Sequence, residues 1–338
     1  MCKLNTDIFI DVLDDCFSKS AINDFRNFIK MFENIDKWIL TSDYCLDDKN
    51  KFNNVVSFLL LPIYNNTKSE YIVPGLGRNA LYLQEFEELI KHFQKYDLKS
   101  TKQISKEFMT FLKSNIYFSF NFILKKNNKN IDIGLDAIKH AIDSLISMLD
   151  LWIENADIDE NKEYYKRCQN NIKKLKEKSN MKSFNKKLFI NMIIVIKLAS
   201  YIKMILLREH KNIKVCGYIS DRDKMTNYPD NTDTFYDLFH VYCHCICNHY
   251  VKQKNDNLED AFFYIKNNKF DADELIRIPD FFAGTLASFD YNNCSKLDKE
   301  KHRLILKDII CKNKNIVNII IKSIGSVNEV ERLVLSIK

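Results

Sequence analysis

The hydrophobic pattern begins with helical spacing. Ile8, Val12 and Cys16, then Phe25, Phe28, Ile29 and Phe32, recur every three or four residues. This predicts one or two helices over 7–35, broken near Asp14, Asp15 and Ser18–Ser20, with the aromatic stripe facing the core. The period then changes. Lys37 to Tyr44 reads as a strand, Asp47 to Lys51 as a polar turn, and Asn54 to Tyr64 as a nearly continuous apolar run. That is a hairpin whose second strand is buried on both faces, with Pro62 confining its pairing. Tyr71–Val73 predicts a short third strand.

A helix from Pro74 to about Tyr96 follows. Its Gly75-x-Gly77-x-x-Ala80 spacing matches a dinucleotide loop, but no βαβ unit accompanies it, so the glycines are read as the loop into the helix. Residues 103–210 read as mostly helical. Ile104, Phe108, Phe111 and Leu112 form one amphipathic segment, which Ile116–Leu124 either continues or leaves as extended chain. A basic loop, Lys125–Asn130, ends it. Leu135–Ile153 is an amphipathic helix, and Glu160–Lys178 is a charged one whose five lysines from Lys166 onward read as a solvated face. Leu188–Leu207 is apolar and long enough to cross a bilayer. Lys197, Lys203 and Asn191 interrupt it, so it is read as a core helix rather than a membrane span.

Ile213–Met225 comes next, a strand running into the acidic turn Ser220-Asp221-Arg222-Asp223. A helix over Asp233–Lys252 follows, with Asp230 and Asn231 as candidate starts. Phe270–Ile278 predicts a short strand. Pro279 then suits a first helical turn, where its missing N–H costs nothing. Small residues at 283, 284 and 287 predict a helix lying close against a sheet. Helices are expected from about Asp298 to the end.

Composition adds three points. Gly (6) and Pro (4) are scarce, so helices should dominate. Net charge is 51 − 45 = +6, mild for 338 residues, and does not by itself argue for nucleic-acid binding. Ten cysteines without paired CxxC units, and no secretory leader pattern, indicate a reducing, cytoplasmic setting.

Two constellations carry chemistry. His240, Cys243, His244, Cys245, Cys247 and His249 crowd one helix, where His240–His244 and Cys243–Cys247 are one turn apart. One regular helix cannot surround a metal tetrahedrally, so the reading is a packed helix using Cys as a small hydrophobe. The second is Asp43, Asp221 and Asp280, with Asp223. Each stands at a strand end or a helix start, where α/β scaffolds place functional groups. Together they could hold Mg²⁺ or Mn²⁺, hard cations that prefer carboxylate oxygen and that promote phosphodiester hydrolysis. Arg222 and Lys224 are the candidate phosphate contacts.

The order of these parts resembles the ribonuclease-H-like superfamily: a strand ending in Asp, a long second strand, a helical stretch, another strand ending in Asp, then a late helix opening with Asp. Leu275–Leu286, with Pro279-Asp280-Phe281-Phe282-Ala283-Gly284, is similar to a terminal signature of a bacterial branch of it. The resemblance covers about 36–80 and 212–292. It implies an α/β fold with a ribonuclease-H-like mixed sheet, helix-rich overall. A discontinuous core (36–99 and 212–292) would follow an N-terminal helical segment (1–35). A helical insertion (100–211) and C-terminal helices (293–338) would complete it. It also implies metal ligands at Asp43, Asp221 or Asp223, and Asp280, and nuclease activity with Mg²⁺ or Mn²⁺ on a nucleic-acid partner. The sequence departs from the pattern at Tyr44, where a small acidic or polar residue is usual, and shows no clear fourth ligand. The other reading is a catalytically silent module on the same fold that binds a protein partner through the helical insertion.

Overall fold

The computed structural model describes residues 7–63, 104, 106–114, 116–126, 134–221, 223–229, 232–251, 275–291, 297, 299–323 and 329–336. The expected strand at Tyr71–Val73 and helix at Pro74–Tyr96 lie outside the described residues, as do Arg222, Asp230 and Asn231.

A mixed six-stranded sheet forms the middle layer, in the order β4-β1-β2-β3-β5-β6. The strands are β1 (Lys37–Cys45), β2 (Asn53–Ile63), β3 (Phe118–Lys125), β4 (Val215–Ser220), β5 (Ile316–Ser323) and β6 (Glu329–Leu333). The β1–β2 and β2–β3 pairs are antiparallel, β1–β4 and β3–β5 are parallel, and β6 runs antiparallel to β5. The chain therefore leaves β1, β3, β4 and β5 at the same edge of the sheet.

Alternation along each strand splits the side chains between two cores. Trp38 and Leu40 of β1, Phe58 of β2, Phe118, Phe120 and Phe122 of β3 and Tyr218 of β4 face the larger one. It is covered by α1 (Ile8–Ser20), α2 (Ile22–Met31), α4 (Leu135–Glu154), α5 (Asp159–Ser179), α6 (Lys186–Glu209) and α7 (Thr234–Tyr250). Ile39, Val55, Leu59, Ile123 and Ile219 face the other core. There lie α3 (Lys106–Leu112), α8 (Arg277–Ala287) and a π-helical turn (Ile305–Ile310) continuing α9 (Glu300–Leu304).

Several expectations meet the structure directly. The N-terminal break falls at Ala21, not in the Asp14–Ser20 stretch, which lies within α1. Helix α6 is the core helix its charges implied, with 83% of its most apolar window buried. Lys197 pairs with Asp7 at 2.6 Å, and the Asn191 amide donates to Asp47 at 2.8 Å.

Three expectations need correction. The range 100–211 is not wholly helical, because β3 lies within it and in the middle of the sheet. Phe118, Phe120 and Phe122 alternate with residues facing the second core, a period of two that aromatic crowding masks. The range 293–338 ends in strands, not helices. Ile316, Val317, Ile319, Ile320 and Ile321 are β-branched and buried on both faces, as a strand inside a sheet requires. Leu275–Ile276, read as strand, is a tight turn leading into α8.

Phe120 sits among Phe17, Phe25 and Phe118, with ring centroids 5.8, 5.6 and 4.9 Å away. Phe120→Ala should lower stability by about 3–5 kcal/mol, the usual cost of emptying an aromatic core position. Urea denaturation measures it, with a change below ~1 kcal/mol showing that this cluster does not hold the sheet to α1 and α2.

Candidate active site

The parallel register pairs Ser42 with Ser220, so Asp43 and Asp221 occupy the next matched positions, at the edge where both strands end. Neighbouring strands stand about 4.8 Å apart. Alternation sends Asp43 to the face of Ile39, which is the face covered by α8. Asp280 lies in the first turn of α8, one turn after Leu275–Ile276. Three residues separated by up to 237 positions are thus brought to one edge of the sheet by strand register and one helix.

Helix α8 is fixed at both ends. At its start, the Thr41 hydroxyl donates to the Leu275 carbonyl at 3.4 Å. At its far end, the Asn53 amide donates to the carbonyls of Leu286 (3.2 Å) and Phe289 (2.8 Å), and the Phe52 N–H to that of Ala287 (2.9 Å). Ala283 and Ala287 are buried against the sheet. Gly284 is not part of that close face: a methyl there would meet nothing within 4 Å. Pro279 occupies the first turn, as expected.

Asp43 is half-buried and lies close enough to Asp280 for the two carboxyls to act on each other. Burial, then the Asp280 charge, and more weakly that of Asp221, push its carboxyl up to about 8, partly offset by a backbone hydrogen bond at Tyr44. Like charges held together out of water favour the proton-sharing state. Asp221 and Asp280 are exposed. The site is therefore a close pair with a third carboxylate within electrostatic reach. Among the described residues, no three His, Cys, Asp or Glu side chains are gathered tightly enough to hold a metal ion.

Asp223 is not brought to the pair. Its Oδ1 accepts from the backbone N–H groups of Met225 (2.8 Å) and Thr226 (3.0 Å), tying the loop after β4. It stands by Tyr44, on the opposite face of β1. Burial and then the Asp223 charge push the Tyr44 hydroxyl far above its ordinary range. Lys224 is exposed on that same loop. Asp47 is held by Lys187 at 2.6 Å, away from the pair.

The Cys/His helix is α7, packed on the other face of the sheet. His240 lies edge-on to Tyr164 (4.8 Å between centroids) and His244 to Trp152 (4.7 Å). Cys245 contacts the Met148 sulfur at 3.2 Å. His240, His244 and Cys245 thus pack against α4 and α5, Cys243 lies by Cys216 of β4, and His249 is exposed. A cleft of about 590 Å³ lies where β3 and β5 begin, lined in part by Phe28, Lys113, Ser114 and Asn313. That is the opposite edge of the sheet from the carboxylates.

Compared with known protein families, curated proteins and solved structures, the chain matches none.

The raised Asp43 carboxyl makes a prediction with a definite sign. Folded, it keeps its proton to about pH 8; unfolded, it releases it near 3.8. Between those values the folded chain binds more protons, so without divalent cations stability falls as pH rises through the window and levels off above it. Denaturation at stepped pH measures the slope. Asp43→Asn should flatten it, and an unchanged slope would assign it to another group.

Proposed function

We propose that this chain is a divalent-cation-dependent nuclease of the ribonuclease-H-like type, with Asp43, Asp280 and Asp221 as the cation-holding carboxylates. The observation that carries this reading is the placing of the Asp43 and Asp280 carboxyls against each other, one at a strand end and the other at a helix start. Two acidic groups forced together at a strand end and a helix start cost stability unless something positive joins them. Their elements are anchored independently, by the β1 ladder and by the Thr41 and Asn53 bonds to α8. Relaxing apart would break those anchors, so the fold maintains the repulsion.

The donor set fits Mg²⁺ or Mn²⁺, which take carboxylate oxygens. Bound there, either ion would supply charge neutralisation and Lewis-acid activation for phosphodiester hydrolysis. Asp43, the most enclosed of the three, anchors the site. Asp280 and Asp221 flank it toward solvent, where a strand of nucleic acid can lie across an open edge. Asp223 and Thr226 fix the loop that carries Asp221: Thr226 Oγ1 donates to the Asp221 carbonyl at 3.0 Å. The layout of β1 between antiparallel β2 and parallel β4 supports the ribonuclease-H-like reading, and β5 and β6 extend the sheet beyond the span of the resemblance.

The second reading is a silent module that binds a protein partner. It is favoured by the gathering of two carboxylates rather than three. The exposed Leu151, Ile158 and Met181 on the helical layer offer it a contact surface.

Labelled single- and double-stranded DNA and RNA, each with Mg²⁺ or Mn²⁺, separate the two. The wild type should cleave at least one. Asp43→Asn and Asp280→Asn should each lose about a hundredfold or more, the loss expected when a group stabilising developing charge is removed. Circular dichroism checks folding. A folded wild type that cleaves none of them leaves the interaction module as the reading.

A further inference from the structure

We propose that Lys51, Lys299 and Lys301 form a phosphate-binding rim on the Asp280 side of the carboxylate site and hold the backbone of a nucleic-acid strand there. This rests on the nuclease reading and adds the contact for phosphates flanking the reacting one.

The three lysines come from two separate stretches, the β1–β2 turn and the start of α9, and meet around the second core. Lys51 ends the β1–β2 turn, and its Nζ donates to Ser288 Oγ at 2.5 Å, just past the end of α8. Lys301, in α9, places its Nζ 5.7 Å from the centre of the Phe281 ring, the residue next to Asp280. Lys299 immediately precedes α9 and is exposed. His302 lies between them, buried, with its ring 6.5 Å from that of Phe281.

His302 registers the local field. Burial lowers its pKa, and the charges of Lys51, Lys301 and Lys299 lower it further, to about 4. Every charge acting on it is positive. A histidine held neutral lets the lysines gather without adding a fourth cation.

These lysines also lack the acidic partners common elsewhere on this chain. Lys19, Lys166, Lys176, Lys187, Lys197 and Lys214 each stand within 3.0 Å of a carboxylate oxygen. Among the described residues, none of Lys51, Lys299 and Lys301 forms an ion pair, and Glu300, between two of them in sequence, pairs with neither. The Asp280 charge reaches Lys301 but forms no ion pair with it, and Lys299 and Lys51 act on Lys301 in the opposite sense; clustered ammonium groups repel one another, and a polyanion relieves that repulsion. The rim also adjoins the Asp43–Asp280 carboxylates. Cation-binding oxygens beside phosphate-binding nitrogens match the alternation a phosphodiester chain presents. Lys224 stands on the Asp221 side, so a strand reaching both would cross the carboxylates.

The test is fluorescence anisotropy of a labelled single-stranded oligonucleotide, without divalent cations, across a series of KCl concentrations. Each lysine contact should contribute a slope of about 0.7 in log Kd against log salt. Lys299→Met with Lys301→Met should flatten the slope by about 1.4, so that the variant gains about 25-fold less affinity than wild type for each tenfold dilution of salt. The Arg pair at both positions should stay near wild type, and Lys173→Met with Lys174→Met, an equal charge loss on the exposed face of α5, should flatten the slope by clearly less. Mn²⁺ binding by calorimetry, run on the same proteins, keeps the two readings apart. If wild type binds Mn²⁺ but the Met pair leaves the slope unchanged, the rim is wrong and the carboxylate site stands. If the slope flattens but wild type binds no Mn²⁺, the rim stands and the nuclease reading falls. A wild type that binds no oligonucleotide overturns the rim.

Discussion

The parallel pairing of β1 with β4 is the constraint on which the site depends. It matches Ser42 to Ser220 and so sets Asp43 beside Asp221 where both strands end. The match is held inside the sheet as well as along the ladder. Ser42 Oγ contacts the Tyr218 hydroxyl at 2.8 Å and donates to Ser220 Oγ at 3.1 Å, all buried. A slip of one residue would turn Asp43 into the larger core and send Trp38 and Leu40 across to the second core, where Ile39 packs. Burial of the apolar residues thus fixes where the carboxylates stand.

Helix α8 completes the arrangement by closing the second core. Its apolar residues, Ile278, Phe281, Phe282 and Leu286, are buried against the sheet, which leaves Asp280 on the rim. The helix cannot withdraw without unpairing Asn53 from its two carbonyls. Hydrophobic packing therefore holds Asp280 beside Asp43, and burial, with the Asp280 charge second, raises the Asp43 carboxyl. The opposite charge collects a short distance away, in lysines from the β1–β2 turn and α9. The edge carries both signs within one face of one core.

Much of this was legible in the sequence, for identifiable reasons. The hairpin of β1 and β2 was clear because a polar turn separates two apolar runs. Helices α4 to α7 were clear because their spacing is regular over several turns. Asp43, Asp221 and Asp280 stood out by position, each at the boundary of an element. What escaped was whatever depends on tertiary context. The strand β3 hid behind an aromatic run that fits either period. The strands β5 and β6 hid in an Ile-rich tail read as helix by continuity with its surroundings. Asp223 looked equivalent to Asp221, and only the loop geometry shows it capping Met225 and Thr226. The lysine rim had no local signal, since its members are scattered over 250 positions and resemble the other lysines of a Lys-rich chain.

The most direct test of the central claim is anomalous diffraction from crystals soaked in Mn²⁺. A peak between the carboxylates of Asp43 and Asp280, with Asp221 turned toward it, is the predicted result. Well-ordered carboxylates still side by side, with no peak between them at saturating Mn²⁺, would contradict the claim that this edge of the sheet is built to hold a cation.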